Sequence, residues 1–529
     1  MSNISSTQPG KANLLIWTSA GGSILLAVVG ILLDTYWLAL GILPILGAYL
    51  LITKPLLFFW ALIACLPLSV EFYFGSLGTD LPTEPLMIIL TLYFFIHAIC
   101  YWRGYAGWFY KHPISLLVIL HLIWIIFSSI YATEAVVSWK FVLAKVWYII
   151  PFYFLAGRLL DRPERVRKMA WLIFIPLLFV AVQTLVRHAS YGFSFADQFR
   201  TMSPFMRNHV NYAGMIVAFI PWLTYILWKG KVTVRFLFIG LLWITALYFS
   251  YTRAAYVALI LAIGAFWIIR YSWLKPLMAI GLIGAIAGSI YLVKDNNYLE
   301  YAPNYETTIS HERFDNLISA TYKLEDISTM ERAYRWVAAG HMVPYHPWVG
   351  WGPGNFRFYY KSYTVTSFRT YVSDNPEQSG LHNYYLMTLV EQGFPGLIIL
   401  MGLLLLPLAW SQDAYNARRK WIKRELARIQ ANLSTQKGAG DRALKETTYD
   451  LRKSKTINRL REYNAILMAA VLSQIIVVAF LLINDMLETD KMGSLFWINL
   501  AIMTNFTSQL GYNRSTDPNG QNSTGQTQE

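Results

Sequence analysis

The chain has 529 residues, of which 56% are hydrophobic, 16% aromatic and only 14% charged. A soluble domain carries roughly 25% charged residues, so the deficit points to lipid rather than water as the main solvent. The net charge of +14 does not signal nucleic acid: Lys and Arg fall between apolar runs on alternate sides, and no soluble segment forms a basic groove with interleaved stacking aromatics.

Met1 to Asn13 is short and polar, and the apolar run Leu14 to Leu33 is long enough to span, with nothing marking it as a removable signal peptide. Further candidate spans follow at 36–53, 55–71, 86–101, 114–131, 141–157, 170–187, 211–228, 236–251, 254–270, 276–293, 395–411, 464–484 and 494–510. At roughly 17–20 residues each, they make an all-α integral membrane protein, a polytopic bundle of about 12–14 transmembrane helices. Cys65 and Cys100 both lie in apolar segments without ligand spacing and read as small buried hydrophobes.

Parity sets the orientation. With the N-terminus inside, the cytoplasmic connections are Arg103–His112, Arg158–Met169, Lys229–Arg235, Arg270–Lys275 and the basic segment Gln412–Tyr463. The opposite loops, 71–85 and 132–140, are poor in Lys and Arg, as the positive-inside rule requires. The segment 412–463 reads as a solvated helical insert, two charged helices broken at Lys437-Gly438-Ala439-Gly440, in contact with anionic headgroups. The Asn/Ser/Thr/Gln-rich tail 512–529 reads as disordered.

Two polar stretches fall outside: Arg187–Val210 and Lys294–Tyr384. The second is rich in Trp, Tyr and Phe, which predicts short helices on the outer surface that cap the bundle. Arg253, in Tyr251-Thr252-Arg253-Ala254, sits in a near-continuous apolar run from Phe236 to Ile269. An arginine there is costly unless it meets a cavity or an anion; the bland alternative is a snorkelling side chain at the end of a helical hairpin. Arg200 and Arg207, on the outer face of a positive-inside protein, call for an anionic partner, a substrate anion and a lipid headgroup being equal choices for either one alone. Asn208, His209 and Asn211 suit either substrate hydrogen bonds or helix capping. Arg332 opens the run Arg332-Ala333-Tyr334-Arg335-Trp336, followed by the turn-rich His346-Pro347-Trp348-Val349-Gly350-Trp351-Gly352-Pro353-Gly354-Asn355-Phe356.

His382 and Asn383 close the polar loop just before apolar residues re-enter the membrane. An imidazole with an ordinary pKa of about 6.5 accepts a proton from a hydroxyl at neutral pH. The alternatives are thin: there is no Walker loop, nucleotide fingerprint, His-Glu-x-x-His or external Asp-x-Asp. The external carboxylates Glu312, Asp315, Glu331, Asp374 and Glu377 make no metal-like cluster. Leaving-group charge would then fall to arginine, whose planar fork matches phosphate oxygens.

Taken as an ordered set, these elements resemble the O-antigen ligase and O-antigen polymerase-like membrane glycosyltransferases. The resemblance rests on Asn208-x-x-Asn211, Thr252-Arg253-Ala254, Arg332-x-x-x-Trp336, His346-Pro347-x-x-Gly350-x-Gly352-x-Gly354-Asn355-Phe356, His382-Asn383-x-x-Leu386 and Glu391-x-Gly393-x-x-Gly396. The more usual serine before the arginine is Thr252 here. Residues 1–190 match only in hydropathy, and 412–463 lies outside the pattern.

The resemblance implies a helical fold of the lipid-sugar glycosyltransferase (GT-C-like) type, with a catalytic core at 191–411 that includes the external loop 294–384, and C-terminal helices at 464–511. It implies a glycan donor on undecaprenyl pyrophosphate, no metal or other cofactor, and a site facing the periplasm or exterior of a bacterial inner membrane. Arg253 and an external arginine, Arg207 ahead of Arg200, would bind the donor pyrophosphate, and His382 would activate the acceptor hydroxyl. Asn208, Asn211, Arg332 and Asn383 would support them. The acceptor is a lipid A-core sugar, a second lipid-linked repeat or a protein hydroxyl, and the rival class is a flippase of lipid-linked glycans.

Overall fold

The computed structural model describes Thr18 and residues 42–75, 77–101, 107–227, 232–302, 326–369, 373, 380–435 and 442–512. The first candidate span 14–33, the carboxylates Glu312, Asp315, Asp374 and Glu377, the break 437–440 and the tail beyond Tyr512 lie outside the described residues. The chain is an all-α polytopic membrane protein. Its helices are α1 Ile42–Thr53, α2 Pro55–Cys65, α3 Thr83–Cys100, α4 Pro113–Ile130, α5 Ala135–Ile149, α6 Pro163–Ser190, α7 His209–Leu227 and α8 Val234–Tyr248. They continue with α9 Arg253–Arg270, α10 Leu274–Val293, α11 Ile327–Met342, α12 Tyr384–Thr435, α13 Arg442–Phe480 and α14 Asp490–Tyr512.

Among the described residues nine helices are long and apolar enough to cross a membrane, and the segments Pro55–Leu68 and Val234–Tyr248 are shorter apolar ones. Lipid supplies no hydrogen-bond partners, so a spanning segment must satisfy its backbone within its own helix. That is why every candidate span on described residues coincides with a helix. α14 is the more polar one because it sits at the centre: Asn499 receives the Trp222 indole N–H at 3.2 Å, and Asn505 donates to the carbonyls of Gly157 and Leu160. α13 packs on α7, α9, α12 and α14, and α12 packs along α4. α10 stands at the edge, almost wholly exposed.

Two features depart from the sequence reading. Residues 70–81 form an antiparallel hairpin, β1 Val70–Phe74 with β2 Leu77–Leu81, in the register Glu71↔Asp80, where only a loop was expected. Cys100 is exposed rather than buried, because it lies in the last turn of α3, and Cys65 is only partly covered. The basic segment after Gln412 is helical on both sides of 436–441, where it continues α12 and leads into α13.

The long polar loop forms a cap with its own core. One face of α11 buries Tyr334, Ala338, Ala339 and Met342 against Trp351, Phe356, Tyr360, Phe368, Leu381 and Val390. The Gly/Pro-rich turn locks this cap onto α12. The backbone N–H groups of Trp351 and Gly352 donate to the carbonyls of Val390 and Glu391 at 2.9 Å. The buried Glu391 carboxylate accepts from Gly354 N (2.8 Å) and Phe356 N (3.1 Å). α12 breaks at Gly393, whose φ of +70° lies in the left-handed region. A Cβ there would stand 2.3 Å from the Trp348 carbonyl oxygen, so only glycine fits. The cap covers the end of the bundle where α4 stops and α5 starts, through Thr133 N to Trp351 O (3.2 Å) and Ser138 Oγ to Pro353 O (2.8 Å).

Candidate active site

His382 lies where the cap meets the bundle, on a backbone pinned from both sides. From the cap, the Arg335 guanidinium donates to Gly380 O at 3.2 Å and the Trp336 indole to Leu381 O at 3.1 Å. From the bundle, Asp485 Oδ2 accepts the His382 N–H at 3.1 Å, and Tyr384 N donates to Leu481 O at 2.9 Å. His382 has φ +55°, a strained conformation for a residue with a Cβ, at a cost on the order of 1–3 kcal/mol. These four bonds hold it there. Asn383 caps α12, its Oδ1 accepting from Tyr385 N (3.1 Å) and Leu386 N (3.0 Å). Its role is local, and it fixes the helix start next to the imidazole.

Burial, then the Arg332 and Arg335 guanidinium groups, push His382 down to about 4, so the ring is neutral at pH 7. Asp485 is pushed up to about 6 by burial, with the His382 N–H pulling the other way, and its buried Oδ1 has no hydrogen-bond partner among the described residues.

The arginines differ in what holds them. Arg253 is the first residue of α9, after the turn Phe249–Thr252, and therefore stands at the cap end of the bundle instead of mid-membrane. It pairs with Asp326 at 3.2 Å, and the same carboxylate caps α11 through Thr329 N (3.1 Å). Arg335 is neutralised by Glu331 one turn back, at 3.4 Å, and Glu331 also receives the Ser373 hydroxyl at 2.6 Å. Arg332, between them on α11, makes no hydrogen bond or ion pair among the described residues. Burial lowers its pKa, with Asp326, Arg253, Arg335 and Asp485 all acting on it. His209, at the start of α7, is reached by the charges of Arg332 and Arg253 and leaves Nδ1 buried without a partner. A partly accessible guanidinium with no hydrogen-bonded counter-charge among the described residues, beside Arg253 and an unprotonated imidazole, suits an anion chemically.

Arg207 and Arg200 lie elsewhere. Arg207 forms a two-pronged ion pair with Glu71 of β1, its Nε donating to Oε2 at 2.9 Å and its second nitrogen reaching Oε1. Arg200 is largely exposed, 3.6 Å from Asp197. Asn208 caps α7 by accepting Asn211 N at 2.9 Å. Arg207 and Asn211 line a cavity of about 380 Å³ with Ser69, Glu71, Tyr73, Asp80 and the stretch Glu488–Lys491. Glu488 in its wall binds Lys145 at 2.6 Å and receives the Tyr384 hydroxyl at 2.7 Å.

Asp326, Asp485 and Glu488 were not singled out from the sequence. Asp485 and Glu488 sit in a short acidic stretch, Asp485-Met486-Leu487-Glu488, between two apolar spans. That position is the one signal that pointed to them. Among the described residues no group of three or more His, Cys, Asp or Glu converges as metal ligands would.

The sequence model of the O-antigen ligase family matches residues 236–401, a segment that contains Arg253, Arg332, His382 and Glu391 and excludes Arg207 and Asp485. No curated protein matches the chain. Within this larger helical membrane protein, residues 236–401 are similar to the O-antigen ligase family.

Proposed function

We propose that the protein transfers a glycan from an undecaprenyl-pyrophosphate-linked donor to an acceptor hydroxyl, at the cap end of the bundle, facing away from the cytoplasm of a bacterial inner membrane. His382 accepts the acceptor's proton. The acceptor oxygen forms its bond to the anomeric carbon as the bond from that carbon to the phosphate oxygen breaks. The electron pair leaves on the pyrophosphate, and Arg253 and Arg332 carry the developing charge. Arg335 and Asp485 position the strand that holds the imidazole. Arg207 is a weaker choice for the pyrophosphate than Arg332, because its fork is already engaged by Glu71.

The observation that carries this reading is Arg332: a guanidinium with no ion pair among the described residues, whose field reaches both Arg253 and His382. A bound pyrophosphate supplies the missing counter-charge. In doing so it offsets the cations that depress the imidazole, so donor binding makes His382 a stronger base at the moment it is needed. The test is glycan transfer by purified protein supplied with a lipid-linked donor. Arg332→Gln and His382→Ala should lose transfer while remaining folded, and full activity in either would sink the proposal.

A further inference from the structure

The cavity beside Arg207 is not needed by the chemistry at His382, yet it shares two walls with it. The loop after α13 supplies Asp485 to the His382 backbone and, a few residues on, Glu488 and Thr489 to the cavity, with Asp490 and Lys491 following from the first turn of α14. The segment before α7 and the first turn of α7 give Arg207 and Asn211 to the cavity, while His209 between them lies within reach of the Arg253 and Arg332 charges. The remaining wall is the hairpin, with Glu71, Tyr73 and Asp80. A volume of about 380 Å³ falls within the range of small-molecule sites.

The charges around this cavity are mostly spoken for. Glu71 is paired with Arg207, and Glu488 with Lys145. Asp490 is paired with Lys491, and Ser69 bridges them. Asp80 is the exception: among the described residues its carboxylate accepts no hydrogen bond and joins no ion pair, although it is partly buried. Burial, with Asp490 adding to it, pushes Asp80 up to about 6. The residues lining the cavity thus pair their cations internally and leave one acceptor facing it. That repels phosphate and uronic acids and favours a ligand rich in O–H or N–H donors. Tyr73 is exposed at the rim and offers a ring face for the C–H side of a pyranose.

We infer that this cavity is a sugar subsite, holding an uncharged or amino sugar of the glycan substrates through Asp80 and Tyr73, next to the reacting hydroxyl. The inference deepens the proposed function and rests on it only for what the sugar belongs to, donor chain or acceptor.

The first experiment needs no turnover. Purified full-length protein in nanodiscs is mixed with methyl glucoside, glucosamine, glucuronic acid and a neutral Ser-rich peptide, and saturation transfer is read by NMR. The expected result is transfer to the first two, lost in Asp80→Asn and Tyr73→Ala and retained in His382→Ala. Transfer to neither sugar, transfer unaffected by both variants, or transfer to glucuronic acid or the peptide in their place would overturn it. The second experiment uses lipid-linked glycan extracted from the host. Asp80→Asn should raise KM about tenfold, the loss expected for one charge-assisted hydrogen bond, with kcat nearly unchanged. A rise in acceptor KM assigns the sugar to the acceptor and a rise in donor KM to the donor, whereas no change in either overturns the subsite. Loss of sugar binding with intact His382-dependent transfer removes the subsite alone; sugar binding with His382-independent transfer removes the proposed chemistry alone.

Discussion

Asp485 holds His382 by the backbone: its Oδ2 accepts the His382 N–H at 3.1 Å across a sequence separation of 103 residues. The carboxylate therefore fixes where the imidazole stands without touching the ring. Asp485→Asn keeps an oxygen acceptor and should retain most of the thermal stability. Asp485→Ala removes it and should destabilise by about 1.5–3 kcal/mol, with a parallel loss of kcat. Thermal unfolding and single-turnover rates on both variants check this; equal behaviour would deny the backbone bond any role.

The pH dependence has a defined sign. His382 acts as a base only when neutral, so transfer falls as pH drops through its pKa of about 4, well under the ordinary imidazole value of about 6.5. Asp485 titrates nearby at about 6, so the profile is best measured in Asp485→Asn, where the remaining acid limb belongs to His382. Removing a neighbouring cation raises an imidazole pKa. Arg332→Gln in that background should therefore raise the His382 pKa, read by NMR titration of the imidazole because the variant lacks transfer, and a downward shift or none contradicts the assigned electrostatics.

Asp326 does two things at once, pairing with Arg253 and capping α11. Asp326→Asn preserves the cap and should cost little stability. Asp326→Ala loses the cap, for about 0.5–2 kcal/mol, and removes the ion pair with Arg253. The difference between the two melting temperatures measures the cap, and donor KM in Asp326→Asn reports how far the carboxylate positions Arg253.

The membrane spans were legible in the sequence because lipid leaves a chain no choice but the helix, so hydropathy alone located them. The cap was legible as a structured loop from its aromatics, and Arg253 and His382 from their placement at span boundaries. Pairings were not. Glu71 meets Arg207 across 136 residues, and Asp485 meets His382 across the long extensions of α12 and α13. No local spacing encodes such contacts, and for that reason Arg207 read as a free outer cation. The 70–81 hairpin escaped notice because its alternation is short and interrupted by Gly75 and Gly78.

A direct displacement inverts the anomeric centre. The linkage in the product should carry the opposite configuration to the sugar–phosphate bond of the donor, which NMR coupling constants on purified product will decide. Retention would require a covalent intermediate that the site's groups have not been assigned to form.

The central claim is that one imidazole removes the acceptor proton while Arg253 and Arg332 hold the departing pyrophosphate. Its most direct measurement is the single-turnover transfer rate of folded, donor-binding His382→Ala protein with a lipid-linked glycan. A fall of about 10²–10⁴-fold with donor affinity unchanged is the predicted result. A rate equal to that of the unaltered protein would contradict the account.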